Sequence, residues 1–145
     1  MVNFQESLVK LNVSAKGWED AIRQGGQLLL EQGYIEPSYI DRMINSVHEF
    51  GPYIVLFPGF ALGHCSSGSD VLKTGISFIT LETPVVFGHE DHDPVSMVAC
   101  LSTINADEHM EMLMAVAEIL SEPESFEKLL SVKDVGEFIS IIKGE

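Results

Sequence analysis

Pro58-Gly59-Phe60-Ala61-Leu62-Gly63-His64-Cys65-Ser66-Ser67-Gly68-Ser69-Asp70 is the stretch around which the rest of the chain is arranged. A short apolar run delivers one imidazole, His64, to the start of a small polar loop. Gly59 and Gly63 carry no Cβ, so the backbone there can bend or approach a ligand closely. Ser66, Ser67 and Ser69 supply hydroxyls, and the loop offers free backbone N–H groups of the kind that hold an oxyanion. Donors on one side of the ring and an apolar flank on the other suit a nucleophilic histidine. A turn between two strands with an incidental histidine accounts for the same residues, and both readings stand at this point.

The residues on either side read as strands. Residues 53–57 form a continuous apolar run, and 60–64 a second short extended piece. Residues 75–81 alternate Ile76, Phe78 and Thr80 against Ser77, Ile79 and Leu81. Pro84 opens a brief run, Val85-Val86-Phe87, and 88–94 is a polar loop. Residues 95–104 are almost wholly apolar, as a strand covered on both faces should be.

Helices are expected before and after this group. Residues 3–10 suggest a short first helix, with Phe4, Leu8 and Leu11 as its apolar positions. Trp18, Ala21, Ile22, Leu28 and Leu29 recur at helical spacing up to Gly33, a C-terminal cap. Pro37 suits the first turn of the next helix, whose face is Ile40, Met43, Ile44 and Val47, and Gly51-Pro52 ends it. Arg42 and His48 lie off that stripe and read as solvated. Asn105, three before Glu108, caps a helix with Met110, Leu113, Met114 and Ala117 as its buried face. A short helix follows Pro123, and a last one carries Val135, Phe138, Ile139 and Ile142, with Ser131 as its cap. Helices, strands, then helices give a single α/β (α+β) domain over 1–145, a mixed sheet flanked by helices.

The formal net charge is −14, from 22 acidic and 8 basic residues. That excludes general nucleic-acid binding and docking on anionic lipid, and it favours a partner with a basic face. The two cysteines, Cys65 and Cys100, make no disulfide framework, which points to a reducing cytoplasm. The opening Met-Val-Asn-Phe-Gln-Glu has no basic region followed by an apolar one, so no signal peptide is expected. No apolar run is long enough to span a membrane.

Five histidines carry the remaining chemistry: His48, His64, His89, His92 and His109. The Asn105 cap puts His109 in the first turn of its helix, beside unpaired N–H groups and the positive end of the dipole. A phosphoryl group on His64 could be held there if this helix start met the glycine-serine loop. His89 and His92, with Glu90, Asp91 and Asp93, have the composition of a metal loop, but two histidines three apart read better as a solvated turn. His64 and Cys65 are adjacent in an extended chain and point to opposite sides, so they form no dyad.

Several stretches together resemble one family. They are Tyr39-Ile40-Asp41-Arg42-Met43, Gly51-Pro52-Tyr53-Ile54-Val55, Pro58 to His64, and Val71-Leu72-Lys73-Thr74-Gly75. Val86-Phe87-Gly88-His89 leading to Asp93-Pro94-Val95, and Ala106-Asp107-Glu108-His109, complete the set. The chain resembles the IIA component of the bacterial phosphoenolpyruvate-dependent sugar phosphotransferase system (PTS), mannitol–fructose type, nearest its ascorbate-like branch. The resemblance implies the phosphotransferase/anion-transport-protein-like fold, with the phosphoryl group accepted on Nε2 of His64 and His109 as a second active-site histidine. It implies phosphate-binding roles for Ser66 and for His48, which falls where some members carry arginine.

The family usually has proline before the active histidine and Ala-Arg or Gly-Thr after it; here Gly63 precedes it and Cys65-Ser66 follow. The implied partners are HPr as donor, a cysteine of a IIB protein or domain as acceptor, and indirectly the IIC transporter. Neither metal nor organic cofactor is implied, and homo-oligomerisation stays open. The sugar never touches such a chain, so the resemblance names no sugar. Two other readings stand beside the carrier: a regulatory binding module controlled by phosphorylation of His64, and a metal-dependent hydrolase using His64, His89, His92 and His109.

Overall fold

The strand Val95–Ser102 (β5) is the middle of the sheet, and its composition shows why. Val98 and Cys100 pack into one apolar cluster, while Met97, Ala99 and Leu101 pack into another on the opposite face. A strand covered on both sides has no polar face, so its sequence does not alternate. The computed structural model describes residues 4–144. Its five strands are β1 (Val9–Val13), β2 (Val55–Phe57), β3 (Phe60–Gly63), β4 (Gly75–Val85) and β5, arranged in the order β1-β4-β5-β3-β2. β1 runs parallel to β4 and β3 parallel to β5, while β4–β5 and β2–β3 are antiparallel. The expected mixed sheet is therefore present.

Helices α1 (Trp18–Glu31) and α2 (Pro37–Phe50) contribute Ile22, Leu29, Tyr39, Met43 and Val47 to the cluster on one face. Helices α3 (Ala106–Leu120), α4 (Pro123–Ser131) and α5 (Val135–Ile142) contribute Met112, Val116, Leu129 and Phe138 to the other. Pro37 stands at the start of α2, where its missing N–H costs nothing. Gly33 and Gly51, with φ of 78° and 86°, follow the ends of α1 and α2 in a conformation that favours glycine.

Four expectations are corrected. The first helix over 3–10 is instead a 3-10 turn at Glu6–Leu8 followed by β1; Asn3 lies outside the described residues. Val9, Leu11 and Val13 alternate with Lys10 and Asn12, and pairing with β4 selects that period of two over the helical one. The run after Pro84 is no separate element: Val85 ends β4, and Val86 and Phe87 lie beyond it in no strand. Proline fits there because the β4–β5 register is irregular between Thr80 and Val85.

The buried stripe of α3 is Met112, Val116 and Leu120, whereas Met110 and Met114 are 57% and 67% exposed. This helix is apolar nearly all round, so spacing alone allows either stripe. Finally, Asp134 caps α5, accepting from Glu137 N at 3.3 Å, while Ser131 ends α4 and donates to Lys128 O at 2.8 Å.

α1 lies unusually close to the sheet at Gly25. The Gly25 carbonyl accepts a 2.7 Å hydrogen bond from the buried Ser77 hydroxyl on β4. A Cβ at Gly25 would stand 2.8 Å from Cys100 Sγ, deep in the core. We expect Gly25→Ala to lower stability by about 1–3 kcal/mol through overpacking, with better helix propensity offsetting part of the loss. Thermal denaturation checks this. Adding Cys100→Ala, which removes the clashing sulfur, should recover part of the lost Tm.

Candidate active site

β3 and β5 are parallel, with Gly63 opposite Cys100, so both strands deliver the chain to the same edge of the sheet. His64 emerges there from β3, and Thr103, Asn105 and His109 emerge from β5 and the start of α3. The carboxyl ends of parallel strands are where open α/β sheets place ligands. A cleft of about 520 Å³ opens at this edge, lined among others by His64, Ser66, Ser67, Thr103, Asn105 and His109.

Strand alternation sorts the side chains. Leu62 belongs to the cluster beneath α3–α5, and His64, two residues on, meets His109 of α3 with ring centroids 5.3 Å apart. Gly63 faces the other way, where a Cβ would lie 3.4 Å from both Met43 Sδ and Cys100 Sγ. Cys65 likewise packs on the α1–α2 side, so the structure separates it from the imidazole as alternation requires.

The His64 ring is half-buried and oriented on two sides. Its Nδ1 lies 2.7 Å from the Leu62 carbonyl oxygen. A carbonyl only accepts, so Nδ1 carries the proton and Nε2 is left with its lone pair. The Tyr53 ring stands edge-on to it at 5.6 Å. Burial holds the His64 pKa below the ordinary 6.5; the Leu62 hydrogen bond opposes that shift and nearby His109 adds to it. His109 is also lowered by burial, and its Nδ1 lies 3.2 Å from the buried Thr103 hydroxyl.

α3 begins as the sequence indicates. The Asn105 side chain accepts from Glu108 N at 2.8 Å and donates to the Glu108 carboxylate at 2.9 Å. His109 N bonds back to Asn105 O at 3.1 Å, so His109 stands just past the first-turn N–H groups, of which that of Glu108 is taken by the Asn105 cap.

Of the four side chains proposed for the site, His64, Ser66 and His109 meet at the cleft and His48 does not. His48 sits on α2 against Trp18, with ring centroids 5.0 Å apart, and its Nε2 is 3.5 Å from Glu19. Two residues around a helix is a rotation of roughly 200°, so Ser46, which lines the cleft, and His48 point to opposite sides. Arg42, expected to be solvated, instead forms a two-point ion pair with the buried Asp70, at 2.9 and 2.6 Å. Its remaining nitrogen, Nη1, lies 3.4 Å from both Cys65 Sγ and Ser66 Oγ. Sequence reasoning missed this because a 24-residue separation carries no local signal.

The 88–94 loop is far from metal-like. Asp93 accepts from the backbone N–H groups of Phe87, Gly88 and His89 at 2.7–2.9 Å, and His89 Nδ1 accepts from Asp91 and His92 N–H at 3.2 Å. The Asp93 carboxylate and His89 Nδ1 are thereby spent on the turn itself. Among the described residues no three His, Cys, Asp or Glu side chains are grouped to hold a metal ion, and no helix is long and apolar enough to cross a membrane.

Two of the cleft-lining residues, Phe50 and Met110, are 69% and 57% exposed. A neutral imidazole with a bare Nε2, a second imidazole beside it and a hydroxyl-bearing loop suit reversible capture of a phosphoryl group.

Comparison with known proteins agrees with this chemistry. The model of the family described as "Phosphoenolpyruvate-dependent sugar phosphotransferase system, EIIA 2" matches residues 3–145. The ascorbate-specific PTS system EIIA component of Escherichia coli strain K12 is 32% identical over 135 residues, 92% of this chain and 88% of that protein. The solution structure of the mannitol-specific cryptic enzyme IIA CmtB from Escherichia coli is 35% identical, with a TM-score of 0.87 over 98% of this chain and 96% of that one. The complex of enzyme IIAMTL and phosphorylated enzyme IIBMTL from Escherichia coli is matched at 25% identity and a TM-score of 0.86, over 100% of both chains. The chain belongs to the EIIA type 2 family of the phosphoenolpyruvate-dependent sugar phosphotransferase system.

Proposed function

We propose that this protein works as a phosphocarrier in the cytoplasm, taking a phosphoryl group from phospho-HPr on Nε2 of His64 and passing it to a cysteine of a IIB partner. The observation that carries the assignment is the 2.7 Å contact of His64 Nδ1 with the Leu62 carbonyl, which bares Nε2 at the cleft. In acceptance, the Nε2 lone pair forms a new N–P bond while the N–P bond of phospho-HPr breaks and its electrons return to the donor ring. In donation, a IIB thiolate attacks phosphorus and the same Nε2 leaves as a neutral imidazole.

His109 and Ser66 are assigned to the equatorial oxygens, where the loose transition state spreads its charge. The Thr103 hydroxyl 3.2 Å from His109 Nδ1 can donate or accept; we assign it as the donor, which puts the His109 proton on Nε2 of this cleft-lining ring, available to those oxygens. Unpaired Cys65 and Cys100 support a reducing compartment.

Incubation with phosphoenolpyruvate, enzyme I and HPr should add one phosphoryl group per chain, acid-labile and alkali-stable, read by intact mass. His64→Ala should abolish labelling while leaving the circular dichroism spectrum unchanged. A fully labelled alanine variant would overturn the assignment.

His109→Ala should still be labelled, more slowly, because His64 remains the nucleophile. Passage to IIB should suffer more, within the ten- to thousandfold range of about 1.4–4 kcal/mol that a donor to developing charge is worth. Two single-turnover rates, HPr to the protein and the protein to IIB, measure the split. Wild-type values for both would remove His109 from the site.

The pH dependence follows from the lowered His64 pKa. As pH falls, acceptance should decline at a lower pH than a free imidazole would give, once Nε2 is protonated. In the same acid window the unfolded chain, titrating at the ordinary value, binds the extra proton first, so stability also falls as pH falls. NMR titration of the His64 ring should give a midpoint below 6.5, and a midpoint above it would contradict the burial argument.

A further inference from the structure

We infer that Arg42 is a positioning residue of the phosphoryl site, acting through the hydroxyl of Ser66; the inference rests on the carrier reading of His64. The cleft lining contains no lysine or arginine. The guanidinium that reaches a cleft-lining side chain comes from α2, behind the loop. Its Nε and Nη2 are engaged by Asp70 at 2.9 and 2.6 Å, and Asp70 is held in turn by the Ser38 hydroxyl at 3.0 Å. The Tyr39 ring lies 5.1 Å below its Cζ. Such a fork is fixed in direction, which a flexible ammonium would not be. The face left over, Nη1, points at the loop and lies 3.4 Å from Ser66 Oγ and Cys65 Sγ.

A serine hydroxyl has one proton and two lone pairs. With a lone pair of Ser66 occupied by an Arg42 N–H, its own proton is turned away from the guanidinium and toward the cleft. The charge on the partner also polarises the O–H into a stronger donor. Arg42 thereby supplies positive polarity to a phosphoryl oxygen without placing a bare cation in the site. Asp70 keeps the fork aligned: the Arg42 hydrogen bond holds its carboxyl below the usual carboxylate range, so the pair persists through the pH range of transfer.

The test is a double-mutant cycle on the HPr-to-His64 single-turnover rate, using Arg42→Ala, Ser66→Ala and the pair. Each single variant should slow acceptance about ten- to a hundredfold, the worth of a hydrogen bond to a charged group. The double variant should be no slower than the slower single, because one route is lost either way. A merely structural Arg42 gives multiplicative losses in the double variant, and that result overturns the inference. Ser66 is exposed, so Ser66→Ala tests the route even if Arg42→Ala lowers the Tm; a wild-type rate for Ser66→Ala also overturns it. Wild-type protein that HPr fails to label at His64 would instead defeat the carrier reading, which separates the two failures.

Discussion

The hydroxyl of Tyr39 is the joint on which the active edge depends. The residue is fully buried on α2. Its O–H donates to the Leu101 carbonyl of β5 at 2.6 Å and accepts from Cys65 N, the first N–H after His64, at 3.0 Å. Burial pushes the phenol pKa well up, so it stays a protonated donor. One oxygen thus ties a helix, the end of the central strand and the start of the loop after His64 to a common point. Without it the Leu101 carbonyl and the Cys65 N–H would each lose a hydrogen bond, worth about 1 kcal/mol apiece, and the start of the loop would lose its tie to α2 and β5.

From that point the placement of every site residue follows from two periodicities. The strand period of two sends Leu62 and His64 toward α3, and Gly63 and Cys65 toward α2. The helical period then decides what answers from each side. On α2, Ser38, Tyr39 and Arg42 share a face and hold the loop through Asp70, Cys65 and Ser66, while His48 is turned away toward Trp18. On α3, the Asn105 cap sets the rotation that leaves His109 and Met110 on the cleft and buries Met112.

Legibility in the sequence tracks how local each cause is. β5 and α2 could be read directly, since an unbroken apolar run and a clean i, i+3, i+4, i+7 stripe each have one physical meaning. The pairing of His64 with His109 was legible through the Asn105 cap and the family-like stretches around both residues. β1 was not, because five residues acquire a strand's period only through their partner β4. Nor was the α3 stripe, where apolar residues on every side leave rotation to the packing. Arg42 was misread for a related reason: it lies off the apolar stripe, and only the folded loop brings Asp70 and Ser66 to it.

A carrier must also let go, and the electrostatics of the cleft suit that requirement. The chain bears a formal charge of −14, which disfavours free anions near the surface and attracts a partner with a basic face. Inside the cleft the two imidazoles are shifted toward neutrality by burial, and the guanidinium behind the loop is already engaged by Asp70. Several unpaired cations would hold the phosphoryl group in its ground state and raise the barrier to giving it up. On the proposed assignment, neutral donors polarised from behind would stabilise the spread charge of the transition state while leaving the resting N–P bond available to the next nucleophile. Phe50 and Met110, exposed at the cleft, offer such a partner an apolar surface to cover.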